Sequence, residues 1–381
     1  MTKLLYLGIE HKYLNPTSNL LIKIYKNSAD TLFIGPGFQN TMDLFINNEI
    51  ENVINNFIPE VVLIDVRCFG SEFLKLNILG QKYSKKIFDK FIFFINDFIA
   101  HNKTPLIIDF SYIDTYKIPI PLIEKLNKYN CYVVGLDKNF FSRKEDYKYL
   151  LNEKFAKYAT NNWYNYIKNN SHLVISFPHP IDETEFFYEK IHQRKIDLSI
   201  MGVKYFCREK AGEILKKSKY KIYSSDLKRK YFSFMISSLR KFSINPNKLY
   251  AYFNSYFYSK LVNSKISYTC GGGVEFPVRK FLEIPASGAL LMCQKFKNFE
   301  NFGFEHGKNA IAIELDELED AVDYYLNNQD LSQKIINNCQ KFLLENHSTK
   351  PRIKQMTKTL QLISQNNFKG SCWKKGLFFL D

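Results

Sequence analysis

Short apolar runs alternate with segments of helical length along the first half of this 381-residue chain. The runs are residues 4–9, 31–34, 61–66, 106–110, 132–136 and 173–177, and the helical segments are residues 41–57, 82–100, 121–129 and 144–170. Apolar strands separated by helices are typical of a parallel sheet that is covered on both faces. The pattern therefore predicts an α/β domain.

The pattern stops at residues 176–180, where two prolines in three residues resist continuation of a helix or a strand. It then begins again, with apolar runs at 198–201, 221–223, 266–270 and 310–313 and helical segments at 208–217, 315–327, 331–346 and 350–365. We therefore predict two Rossmann-like doubly wound domains, residues 1–178 and 179–346, with a cleft between the carboxyl ends of their strands. Residues 347–381 form a helical tail, which we expect to pack back across the domains.

Residues 265–294 form the segment with the most informative chemistry. A β-prone run ends in three glycines, Gly271 to Gly273, which let the backbone approach a ligand closely. Pro277 suits the first turn of a helix, whose free N–H groups would attract a phosphate. If that helix already includes Glu275, then Glu275, Arg279 and Glu283 share one face; if it begins after Glu275, that residue lies in the turn and can point at a ligand.

Charge and cysteine content limit the classes of partner and compartment. The 53 Lys and Arg against 38 Asp and Glu give a net charge of +15, which favours an anionic partner. Seven cysteines without CxxC spacing predict neither a zinc site nor a disulfide framework, so a reducing compartment fits best. No apolar run is long enough to span a bilayer. We expect a cytoplasmic protein that is at most peripheral at the inner face of a membrane.

The segment from Glu275 to Glu283 has the E-x7-E spacing of retaining glycosyltransferases with two Rossmann-like domains, the GT-B type. The longer run from Pro277 through Gly288 resembles the group 1 glycosyltransferase domain of the CgeB-like branch, with one extra residue, Leu282. Residues 197–208 and 302–313 resemble the family's first donor-domain turn and the segment after its donor strand. The resemblance covers about residues 197–347.

The resemblance implies a donor site for a nucleotide sugar. Glu283 would accept hydrogen bonds from the ribose hydroxyls, and Glu275 would lie near the transferred sugar as a catalytic residue. The diphosphate would be held by backbone amides of the glycine turn and by basic side chains, without a metal or other cofactor. The implied donor-binding residues are Gly271, Gly272, Gly273, Val274, Arg279, Glu283, Lys204 and Arg208.

Residues of the N-terminal half are placed by topology alone. His11 follows the first strand, where that domain would face the cleft, so it is our second catalytic candidate and would touch donor or acceptor; a histidine of a surface loop is the alternative. Asp65, Arg67, Asp109 and Asp114 end the third and fourth strands in a similar way. His179 lies between two prolines and is predicted to be structural.

The expected activity is transfer of a sugar from a nucleotide-sugar donor to a glycan or lipid-linked acceptor in bacterial surface polysaccharide assembly. A basic surface would help such an enzyme to meet an anionic membrane. The alternatives are a sugar-nucleotide epimerase of the same fold and a non-catalytic protein that binds glycan or nucleic acid. The aromatic and basic run at 220–258 has the composition of a nucleic-acid site. We favour the alternative that it forms core helices with a basic exposed face.

Overall fold

The computed structural model describes residues 1–10, 16–38, 41–47, 49–69, 85–110, 119–135, 143–146, 161–202, 205–224, 226–241, 247–271 and 275–381. Its first domain is built on a six-stranded parallel sheet in the order β2-β1-β3-β4-β5-β6. The strands are β1 (Lys3–Leu7), β2 (Asp30–Ile34), β3 (Val61–Asp65), β4 (Leu106–Asp109), β5 (Tyr132–Val134) and β6 (Val174–Ile175). Apolar, often branched residues fill β1, β3, β4, β5 and β6, which are almost wholly buried, as a sheet covered on both faces requires. The edge strand β2 is partly exposed.

Helices cover both faces of this sheet. They are α1 (Pro16–Ser28), α2 (Thr41–Ile46), α3 (Ile50–Phe57), α4 (Lys85–His101), α5 (Pro119–Tyr129) and α6 (Asn161–Asn169). One face packs against α1, where Leu21, Ile24 and Tyr25 are buried. The other packs against α4, whose Phe91 and Ile95 are fully buried. The predicted segment 41–57 is thus two helices, and residues 147–160 of the predicted segment 144–170 lie outside the described residues.

The second domain contains a five-stranded parallel sheet in the order β11-β10-β9-β7-β8. Its strands are β7 (Ile196–Ile200), β8 (Ile222–Ser224), β9 (Ser264–Thr269), β10 (Leu290–Cys293) and β11 (Ile311–Ala312). Its helices are α7 (Phe206–Ile214), α8 (Asp226–Lys241), α9 (Asn247–Val262), α10 (Lys280–Ala286), α11 (Leu318–Asn327) and α12 (Gln329–Asn346). The predicted pair of doubly wound α/β domains is confirmed.

The tail returns to the first domain. Helix α13 (Thr349–Ser364) lies against α1, and its Met356, Leu360 and Ile363 are fully buried in the core below the first sheet. An antiparallel hairpin of β12 (Ser371–Lys374) and β13 (Leu377–Leu380) follows. The exact limits of the predicted domains and tail stay a prediction.

The tail also buries the charge of an arginine near residues 176–180, the segment that joins the two domains. Arg352 of α13 is fully buried, with its guanidinium 4.4 Å from the ring centre of Trp373 and 4.9 Å from that of Phe177. Its Nη2 lies 3.0 Å from Nδ1 of His347. The charge therefore rests against aromatic faces, which attract cations.

Two further properties concern compartment and membrane. All seven cysteines are buried, and none of them forms a disulfide. Within the described ranges, the structure has no helix that is both long and apolar enough to cross a bilayer.

Candidate functional site

The turn that follows β9 is held tightly by its first glycine. The Phe276 N–H donates to the Gly271 carbonyl at 2.5 Å, and a Cβ added to Gly271 would lie 2.6 Å from the carbonyl carbon of Glu275. Glu275 itself has a φ of +48°, which residues other than glycine rarely adopt. Left-handed backbone costs such a residue about 1 kcal/mol and is concentrated at functional sites. The structure therefore places Glu275 in a strained turn at the carboxyl end of the sheet.

The Glu275 carboxylate faces a lysine that also touches the first domain. Lys297 Nζ lies 3.3 Å from Glu275 Oε2, and its backbone N–H donates to the Glu275 carbonyl at 3.0 Å. The same Nζ donates to the carbonyl of Asp146, in the first domain, at 2.9 Å. Glu275 consequently lies where the two domains meet.

Helix α10 carries the second glutamate of the spacing motif in an ionic cluster. Arg279, at the N-cap, donates from Nη1 to Glu283 Oε1 at 2.5 Å, and Lys280 Nζ pairs with Glu283 Oε2. Each carboxylate oxygen has two lone pairs, so both can accept a further bond from a ligand hydroxyl. The Glu283 side chain is 13% exposed, which leaves an approach from the solvent side.

A carboxylate from the segment between the domains completes this cluster. Arg279 Nη2 donates to both Glu185 oxygens at 2.6 Å, a strong charge-assisted contact. Glu185 also caps its own turn: its Oε1 accepts from the Asp182 N–H at 3.0 Å, and Asp182 pairs with Lys23 of α1 at 2.5 Å. A chain of ionic contacts therefore runs from Glu283 to the first domain.

The cluster fixes the protonation of its members. Although burial raises the pKa of Glu283, the Lys280 and Arg279 charges outweigh it, and the pKa falls to about 2. Burial, with Arg279 nearby, lowers the pKa of His179 to about 4. Burial also lowers the pKa of Lys280, against the attraction of Glu283. At neutral pH Glu283 is an anion and His179 is neutral.

Arg208 supplies positive charge at the neighbouring turn. The residue is 5% exposed, and its Nη2 donates to Thr269 Oγ1 at the end of β9 at 2.7 Å. Gly202, with a φ of +106°, has its ideal Cβ position 3.0 Å from Arg208 Nη1 and 3.7 Å from Lys280 Cε. Arg208 and Lys280 therefore both lie against the Gly202 backbone, where a side chain would crowd them.

Several predicted residues lie outside the described part of the chain. These are His11, Lys204, Gly272, Gly273, Val274 and Asp114, and the side chain of Arg67 is outside it as well. Asp65 and Asp109 are described: they are aligned at the ends of β3 and β4 and are buried. Tyr25 of α1 donates to Asp109 Oδ2 at 3.0 Å, and burial, with the Asp109 charge, raises the Tyr25 pKa well above its usual value.

Glu275 does not share a helical face with Arg279 and Glu283. Helix α10 begins at Lys280, so Pro277 lies before it rather than in its first turn. The reason is the tight turn at Gly271, which puts Glu275 in left-handed backbone and separates it from the helix. The alternative in which Glu275 belongs to the turn is the one the structure adopts. Glu275 pairs with Lys297, and Arg279 pairs with Glu185.

Residues 182–358 match a protein-family model described as glycosyl transferase-like. In sequence, the second half of the chain is therefore similar to glycosyltransferases. The match includes Glu185, Arg208, Glu275, Arg279 and Glu283, so the whole charged cluster apart from His179 falls within it. The predicted class of enzyme is confirmed, while assignment to the CgeB-like branch stays a prediction. No curated protein sequence matches the chain.

Solved structures of this fold extend the similarity to both domains. HepE from Anabaena in complex with UDP-glucose is 11% identical, with a TM-score of 0.54, over 95% of this chain and 100% of that one. Its complex with UDP has a TM-score of 0.55 at the same identity and coverage, and its complex with UDP and glucose has a TM-score of 0.54. At this identity the likeness establishes the fold of the glycosyltransferase, with its two domains.

Proposed function

We propose that this glycosyltransferase moves a sugar from a nucleotide-sugar donor to a glycan or lipid-linked acceptor in bacterial surface polysaccharide assembly. The observation that carries the proposal is the partly buried cluster of Glu185, Arg279, Lys280 and Glu283 at the carboxyl ends of the donor-domain strands. Ligands of open α/β sheets bind at that edge. The HepE complexes with UDP and UDP-glucose support a uridine nucleotide as the first donor to test.

In this proposal Glu283 binds the ribose, because its ionised carboxylate has lone pairs left after pairing with Arg279 and Lys280. Arg279, enclosed between Glu283 and Glu185, acts as a positioning residue. Glu275, on the neighbouring strained turn, faces the transferred sugar. His11 and Lys204 keep their predicted roles near acceptor and diphosphate.

The proposed chemistry is departure of the nucleoside diphosphate with attack by an acceptor hydroxyl. The bond from the anomeric carbon to the diphosphate oxygen breaks, and its electron pair remains on the diphosphate, where Arg208 and Lys280 stabilise the charge. The acceptor oxygen bonds to the anomeric carbon, and its proton passes to an oxygen of the departing diphosphate. We propose that the reaction retains anomeric configuration and needs no metal, and that it occurs at the cytoplasmic face of a membrane.

A thermal-shift screen tests the donor site directly. The protein is mixed with UDP, GDP, CMP, ADP and dTDP sugars, and one base should raise the melting temperature. Glu283→Gln should remove that shift because the amide cannot accept at both positions, whereas Glu300→Gln, an exposed carboxylate of the same domain, should keep it. A shift that survives in Glu283→Gln would refute the assignment.

Turnover separates the proposed transferase from its alternatives. The donor that raises the melting temperature is incubated with and without acceptor saccharides, and product anomers are followed by NMR. Transfer that depends on an acceptor supports the proposal. A sugar altered without acceptor would show an epimerase, and donor binding without any turnover would show a binding protein.

A further inference from the structure

Two neighbouring helices of the donor domain expose aromatic rings on a basic surface. On α8, Tyr231 is 61% exposed and Phe234 is 71% exposed; on α9, Tyr252 is 61% exposed. The ring of Phe232, which is buried, lies 6.0 Å from the ring of Tyr231 and 5.8 Å from that of Tyr252. Tyr231 and Tyr252 therefore flank one buried ring, and Phe234 lies one turn from Tyr231 on the outer side of α8. We call the surface that carries these three exposed rings the aromatic face.

The sequence of these two helices and of the segment that joins them is strongly basic. Across residues 226–262 the sequence has Asp226 as its only acidic residue, whereas its basic residues are Lys228, Arg229, Lys230, Arg240, Lys241, Lys248 and Lys260. Lys230 and Lys248 are exposed on the same two helices as the rings. Exposed rings surrounded by lysine and arginine are the composition of a helix that lies in the interface of an anionic bilayer.

We propose that the aromatic face docks this protein on a membrane containing anionic phospholipid. Phe234 and Tyr231 are one turn apart on α8, so both rings can enter the region between headgroups and acyl chains. The lysines can then extend their ammonium groups to the phosphates while their stems lie along the apolar surface. A nucleic acid fits the surface less well, because Phe234 offers apolar area on a helix face and bases stack best within a groove.

The aromatic face is joined to the donor cluster through α9. Lys280 Nζ lies 4.3 Å from the ring centre of Phe257, and Tyr258 Oη donates to the Glu185 carbonyl at 2.9 Å. Docking by α8 and α9 would therefore bring the cluster close to the membrane, where a lipid-linked acceptor lies. Only this consequence rests on the proposed function; the docking itself does not depend on transfer.

Co-sedimentation with vesicles tests the docking without any donor or acceptor. Full-length protein is incubated with vesicles of phosphatidylcholine alone and of phosphatidylcholine with phosphatidylglycerol. We expect binding to the anionic vesicles only, weakening as salt is raised because the attraction is screened. The double variant Tyr231→Ser/Phe234→Ser should bind about ten-fold or more weakly, and Lys248→Glu about five-fold more weakly.

Tyr324→Ser is the matched control, since this ring is 53% exposed on α11 beside Asp320 and Asp323, where the acidic side chains offset the nearby Lys219. It should bind as the unaltered protein does, and all variants should keep their melting temperature because the changed residues are exposed. The proposal is overturned by equal binding to neutral vesicles or by a double variant that still binds. It is equally overturned if these rings instead mediate self-association or bind single-stranded RNA without binding vesicles.

Discussion

Protonation of His179 should destabilise the folded protein by about 2 kcal/mol between pH 6.5 and pH 5.0. The folded-state pKa is about 4, against an ordinary value of 6.5, because the imidazole is buried with Arg279, Lys280 and Arg352 close by and only Glu283 opposing them. The unfolded chain therefore binds a proton over this range and the folded one does not. Each pH unit between 6.5 and 5.0 lowers the free energy of unfolding by at most about 1.4 kcal/mol.

The stability that depends on a neutral His179 is fully present above pH 6.5 and is lost as the pH falls towards 4. Glu283, with a pKa of about 2, stays ionised throughout, so its pairs with Arg279 and Lys280 remain intact. Melting temperatures at pH 7.5, 6.5, 5.5 and 5.0 measure the effect, and about 2 kcal/mol corresponds to a loss of roughly 2–3 °C for a chain of this length.

His179→Asn removes one titrating group and should reduce this part of the pH dependence, leaving the share of His347, whose pKa burial also holds well below its usual value. His172→Asn, a change at an exposed histidine, should leave it unaltered. Equal pH slopes for the unaltered protein and His179→Asn would refute the assignment of the depressed pKa to this cluster.

Three further changes follow from the packing. Glu185→Gln removes the charge that holds Arg279 and should weaken donor binding about ten-fold, measured by titration with the nucleotide sugar; unchanged affinity would argue against its positioning role. Gly271→Ala adds a carbon 2.6 Å from backbone and should abolish transfer, whereas Gly212→Ala in α7, with its nearest atom 4.0 Å away, should keep activity in the same assay. Met356→Ala should lower the free energy of unfolding by about 2–5 kcal/mol, read from denaturant curves, since the side chain is fully buried.

The fold could be predicted because its strands are strong local signals. β3 and β4 are continuous runs of branched and apolar residues, and such runs between helices admit few arrangements. The tail hairpin was missed although Lys375 and Gly376, with φ of +49° and +80°, form its turn. A glycine at the second turn position, between short apolar strands, was the available signal.

The site was predictable only in part. Glu275 and Glu283 have a recognisable spacing, but the start of α10 depends on the turn at Gly271 rather than on Pro277. Glu185 meets Arg279 across 94 positions of sequence, so no local pattern could pair them. Lys280 was missed for a similar reason: its part in the site depends on Gly202, which is distant in the chain.

The return of α13 to the first domain has a consequence for synthesis. Met356, Leu360 and Ile363 fill the core beneath β1 and β3, so the first domain presents an uncovered apolar face until these residues leave the ribosome. Nearly the whole chain must be made before that face is closed. The first domain, although it is translated first, should therefore complete its folding last, and a nascent chain stalled before residue 349 should need chaperone protection.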